Sequence, residues 1–279
     1  MTFRLALAQM QVCGGDLEGN IARAESMVAA AALGGADLVV LPETMDVGWA
    51  DESARRCAQP IPDGATCLRL RLAAAHHRIY ICVGLTERDR AQVFNTAVLI
   101  DRDGIVLGMH RKLNEMSIGQ QCYDQGDRLS VIHTELGAIG IMICADGLAQ
   151  GQVISRSLGY MGADIILSPS AWLVSRDHDP IAEPYGKEWL SAYIPVAREF
   201  SLWIAGVSNV GEIATGPCTG QFCIGQSLVI DADGREALHG PYGVNAEALL
   251  HVTVTPKPRP ARGEGWECLH QSQPTPPSR

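Results

Sequence analysis

Three residues able to do chemistry sit at the ends of apolar runs. Glu43 closes "VVLPE", Lys112 follows "GMHR", and Cys144 ends "IGIMI". A carboxylate moves protons, an ammonium steadies a developing negative charge, and a thiol attacks electrophilic carbon. Together they offer a covalent route to breaking an acyl bond. Catalytic groups in α/β sheets gather at the carboxyl ends of strands, where all three fall. A turn after Cys144 leading into a helix from about Gly147 is expected to aim backbone N–H groups at the sulfur. A neighbouring lysine is expected to favour the thiolate. The proton acceptor is the weaker point. Active cysteines commonly use histidine, and the one near these runs is His110, expected on the opposite strand face from Lys112; a carboxylate can do the same work. Singly, each signal is ordinary: a strand-end cysteine is most often a small buried hydrophobe, and a lysine after a hairpin a solvated charge.

The elements that must hold these residues alternate along the chain. "FRLALAQMQV" (3–12) and "ADLVVLPE" (36–43) have strand character. Between them Ile21, Ala24, Val28 and Ala31 share one helical face, with Asp16 as cap and Gly34-Gly35 as stop. A second helix is predicted over 63–77, a strand over 79–87, and a hairpin over 93–112 around Asp101-Arg102-Asp103-Gly104. The second half repeats the rhythm. A strand over 138–143 precedes a helix near 148–161, a strand over 163–172 and a helix over about 183–200. Pro195 inside that last helix removes one backbone bond and predicts a kink. Strands over 202–211, 225–238 and 246–254 complete the set. Two halves of similar rhythm predict two mixed sheets packed face to face with helices outside.

Bulk composition narrows the classes. The chain has 279 residues, 47% hydrophobic and 19% charged, enough apolar matter for a large core. A net charge of −9 with no Lys/Arg run argues against nucleic acid. The early Gln9 breaks the first apolar stretch, so neither a signal-peptide core nor a membrane span is expected. Nine irregularly spaced cysteines do not form a disulfide framework, and a reducing cytoplasm is the expected location. Metal and nucleotide motifs are absent: His76 and His77 diverge by about 100° on a helix, and Gly14-Gly15…Gly19 does not fit GxGxxG.

In order and context, "VVLPE" (39–43), "HRKL" (110–113) and "IGIMICAD" (139–146) resemble the three signature segments of the nitrilase superfamily of carbon–nitrogen hydrolases. The resemblance continues through "GADIILSPSAW" (162–172), "VAREFSLWIAGVSNVG" (196–211) and "GQSLVIDADG" (225–234), covering roughly residues 3–255. It implies a four-layer αββα sandwich as a single hydrolase domain over 1–255, followed by a proline-rich tail over 256–279. It further implies Glu43 as general base, Lys112 as oxyanion-stabilising cation, Cys144 as nucleophile and the Ala145 N–H as a second oxyanion donor. No metal or organic cofactor is implied. A homodimer or higher homo-oligomer formed through the helices at 148–161 and 183–200 is.

Two departures matter. Many members carry a second glutamate shortly before the Gly-Asp corresponding to Gly126-Asp127, where this chain reads "SIGQQCYDQGD". Glu115 is the nearest upstream acid and is read as its substitute. The residues after the nucleophile, "CAD" rather than Cys-Trp-Glu, favour amidase and carbamoylase branches over nitrile-hydrolysing ones and leave a roomier pocket. Trp172 and Trp49 are candidates to line it, and Asn209 to brace its loop. The expected activity is cysteine-dependent hydrolysis of a linear amide or N-carbamoyl compound. Nitrile hydrolysis, acyl transfer to an amine and a non-catalytic binding homologue are the alternatives.

Overall fold

Burial on both faces is written into the first strand. In β1 (Phe3–Gln9) Leu5 and Leu7 point to one core while Ala6 and Ala8 point to another. The same alternation holds after helix α1 (Leu17–Leu33), in β2 (Leu38–Val40), where Leu38 and Val40 face one way and Val39 the other. A short turn of helix, α2 (Ala54–Cys57), and α3 (Ala65–His77) lead to β3 (Tyr80–Asp89), β4 (Gln92–Ile100) and β5 (Val106–Arg111). Such period-two patterns with apolar residues on both sides mark strands sandwiched between layers. The structure is a computed structural model, and residues 2–259 are described.

The second half supplies β6 (Val131–Thr134), β7 (Gly137–Ile141), α4 (Val153–Met161), β8 (Ile165–Ser170), β9 (Leu173–Val174) and α5 (Lys187–Phe200). β10 (Trp203–Ser208), β11 (Val210–Glu212), β12 (Phe222–Ile224), β13 (Leu228–Ile230), β14 (Glu236–His239) and β15 (Ala248–Val254) follow. One six-stranded sheet runs β15-β1-β2-β3-β4-β5, and the other β14-β13-β10-β8-β7-β6. Both are mixed. Read from β15 and from β6, the neighbour pairs run antiparallel, parallel, parallel, antiparallel, antiparallel in each. β1 packs on β10 and β3 on β8, so the sheets lie face to face. α1 and α3 cover the outer face of the first sheet, and α4 and α5 that of the second, completing an αββα sandwich. A small sheet, β11-β12-β9, was not foreseen from the sequence.

Some boundaries moved. The helix expected to begin near residue 148 starts at Val153. Ahead of it, Cys144–Leu148 form a 3-10 turn and Gln150–Gln152 another. The turn at Cys144 is therefore not capped by a long helix. α5 runs as one element through Pro195. Gln9, the polar interruption in the first run, is fully buried and used. Its amide donates to Pro241 O and Ala246 O and accepts from Ser227 N, tying the first sheet to loops of the second. From residue 260 onward the expected proline-rich tail lies outside the described residues.

Candidate active site

Glu43 leaves the end of β2 on a loop laid directly over β3. Gly84 is required there: a Cβ would come within 2.6 Å of Glu43 Cα and 2.7 Å of Pro42 O. The Glu43 N–H donates to Ser170 O across the seam between the sheets, at 3.3 Å. Lys112 follows β5 and is held by its N–H to Asn95 O on β4, at 2.9 Å. Cys144 follows β7 on the second sheet, with its N–H donating to Ser168 Oγ at 3.2 Å. Its φ of 44° is left-handed, a conformation that costs a residue with a Cβ of order 1–3 kcal/mol and clusters at functional sites.

These three side chains meet. Lys112 Nζ donates to Glu43 Oε1 at 2.7 Å, and both side chains are 1% exposed. The Glu43 carboxylate and the Ala171 N–H both act on the Cys144 thiol, which lines the same cavity as Glu43 and Lys112. Glu115 joins them from the loop after Lys112. Its Oε1 lies 3.2 Å from Lys112 Nζ and accepts the Trp49 indole N–H at 3.3 Å. The Trp49 ring faces the ammonium at 5.4 Å from its centroid. Asn95 donates one amide group to both carboxylates, 2.6 Å from Glu43 and 3.2 Å from Glu115.

Burial sets the protonation states. It raises the Glu43 pKa; Lys112 opposes that and the Glu115 charge adds to it, leaving Glu43 above its ordinary 4.5. Burial alone would push Lys112 down, but Glu43, Cys144 and Glu115 outweigh it and hold the ammonium charged. Burial and then Glu43 push the Cys144 thiol well up, against the pull of Lys112 and the Ala171 N–H. Lys112 does favour the thiolate, as expected from the sequence, but burial first and the Glu43 charge second outweigh it. The sulfur rests as a thiol beside a base.

His110, expected to face away, lies on the Lys112 side, because residues two apart on a strand share a face. Its Nε2 lies 2.7 Å from Asp146 Oδ2. Asp146 is fully buried and also accepts from the N–H groups of Leu113, Asn114 and Ile143, at 3.0, 2.7 and 2.9 Å. Although burial raises its pKa, His110 and these N–H groups lower it further, so the carboxylate stays charged. Asn114 adds a bond to Ala145 O at 2.7 Å. This knot locks the lysine loop onto the cysteine turn. The Ala145 N–H sits in the first turn of the 3-10 segment, where a backbone donor has no partner within the helix.

Glu43, Lys112, Cys144, Ala145, Trp49 and Trp172 all line one cavity of about 300 Å³, while Glu115 stands behind Trp49 and Lys112. Asn209 does not line it. Sequence reading missed Asn95, Asp146 with His110, and the aromatic walls Tyr185 and Trp189. The available signal was polarity in the wrong place: Asn95 and His110 interrupt strands whose neighbours are apolar, and buried polar groups need a reason.

A thiol, a carboxylate and an ammonium meet in one cavity on an αββα sandwich, the fold of the carbon–nitrogen hydrolases. The chain belongs to that family: the carbon-nitrogen hydrolase profile matches residues 4–257. It is 32% identical over 172 residues to a nitrilase of Pyrococcus abyssi, covering 60% of this chain and 64% of that protein. It is 26% identical over 233 residues to an (R)-stereoselective amidase of a Pseudomonas species, covering 83% of this chain and 78% of that one. A CN-hydrolase superfamily protein of Xanthomonas campestris, whose structure carries an arsenic adduct in its active site, shares the fold. It aligns with a TM-score of 0.76 at 23% identity, over 91% of each chain. No helix among the described residues is long and apolar enough to cross a membrane.

Proposed function

We propose that the protein hydrolyses a linear amide or N-carbamoyl compound through an acyl-thioester on Cys144. One observation carries this: a buried carboxylate–ammonium pair, 2.7 Å apart, faces a buried thiol at the end of a cavity. Glu43 takes the thiol proton as sulfur attacks the carbonyl carbon. The oxyanion is met by Lys112 and the Ala145 N–H, donors that in acyl-transfer sites contribute about 10²–10³ in rate each. Glu43 returns the proton to the departing nitrogen and the C–N bond breaks. A water molecule, deprotonated by Glu43, then attacks the thioester, and the thiol is restored as the acid leaves.

Glu115 holds Lys112 and Trp49 in this scheme and takes no part in the proton transfers. The "CAD" segment, which resembles that of the amidase and carbamoylase branches, supports amide over nitrile substrates. A homodimer remains part of the proposal, supported by apolar Val153, Tyr160 and Met161 exposed on α4. The decisive experiment is Cys144→Ala, assayed for ammonia release from an amide panel. Turnover is expected to vanish with an unchanged thermal melt; hydrolysis retained in that variant overturns the mechanism.

A further inference from the structure

The cavity's charge inventory discriminates among amides. Its walls beyond the reacting groups are mainly apolar or aromatic, Trp49, Leu148, Leu173, Tyr185, Trp172 and Trp189 among them, with Gln221 an uncharged amide in the lining. Trp172 and Trp189 stack with centroids 4.7 Å apart, and the Trp189 N–H is already given to Tyr185 Oη at 3.0 Å. Among the described residues, Lys112 is the only cationic side chain lining the space, with no arginine or histidine beside it. That lysine is held by Glu43 in the lining and by Glu115 behind it, so its ammonium is already paired and is not free to receive a substrate carboxylate.

A carboxylate on the substrate would lose its hydration here without gaining a cation, and would meet like charge at close range. An uncharged hydrocarbon or aromatic acyl group gains burial against the indole and leucine walls instead. A volume of about 300 Å³ is at the small end of ligand pockets and suits a small acyl group. We propose that the site selects uncharged, apolar acyl groups, and rejects amides that carry a carboxylate: the half-amides of dicarboxylic acids and N-carbamoyl amino acids. This rests on the amide reading of the same site and narrows it.

Two measurements on the full chain test it. Hexanamide and adipamate differ only in a terminal methyl or carboxylate, and kcat/KM is expected to favour hexanamide by about a hundredfold or more. Leu148, 41% exposed at the mouth, offers a charge switch: Leu148→Arg is expected to raise adipamate turnover relative to hexanamide by about tenfold. Equal or preferred use of adipamate by the unaltered enzyme overturns the inference while leaving the amide reading intact. The second measurement needs no turnover. Alkylation of Cys144 by neutral iodoacetamide and anionic iodoacetate is followed by mass spectrometry and normalised to a free thiol. A bias toward iodoacetamide at least about tenfold beyond the free thiol is expected, and parity overturns the inference. If the bias is present but no amide is hydrolysed, the amide reading fails and the charge selectivity stands.

Discussion

At the scale of single residues, the site is an exercise in how many buried charges can lie side by side. Two carboxylates share one ammonium, and Asn95 supplies the neutral donor that lets them lie close. In the proposed mechanism Glu43 is ionised to take the thiol proton, so kcat/KM is expected to rise with pH through a value above the ordinary 4.5. Glu115→Gln removes the like charge that helps hold Glu43 up. A pH–rate profile of that variant is expected to show the ascending limb moved to lower pH, with kcat/KM down about tenfold to a hundredfold from the lost charge-assisted contact to Lys112. An unmoved limb would show that Glu115 does not act on Glu43. Glu43, Lys112 and Cys144 were legible in the sequence because their types are out of character at the ends of apolar runs. Asn95 was not, since an amide in mid-strand carries no sign of which distant carboxylates it will meet.

At the scale of elements, the question is how β5 and β7, on different sheets, are kept in register. Asp146 answers it with four accepted hydrogen bonds that reach β5 through His110, the lysine loop through Leu113 and Asn114, and its own turn through Ile143. Asp146→Ala strands these donors in the core. A loss of about 3–5 kcal/mol, typical of breaking a buried charged contact, is expected, read as a lowered Tm together with lost turnover. Because the folded carboxylate titrates below its ordinary 3.8, its contribution is fully present at neutral pH. It is lost only as the pH falls through that lower folded value. An Asp146→Ala variant melting like the unaltered protein at pH 7 would remove this role. The strands and helices were readable from periodicity, which depends on local burial. The replacement of the expected helix start by a 3-10 turn was not, because Asp146 pulls that turn toward a partner 36 residues away.

At the scale of the whole molecule, two halves with the same order of strand directions are closed by the chain's return. β15 comes back to pair with β1, Val254 opposite Phe3. The shared rhythm was visible in the sequence, and so was the sandwich. The aromatic lining was only half visible, because Tyr185 and Trp189 reach the cavity from a stretch read simply as helix. The seam also has a consequence for loss of function. The sulfur rides on one layer while the base and the cation ride on the other, so a slip of either layer by a fraction of an ångström uncouples them. Every strand would keep its neighbours through such a slip. In a urea series, turnover is accordingly expected to disappear before ellipticity changes, and coincident curves would mean that the layers part only when they melt.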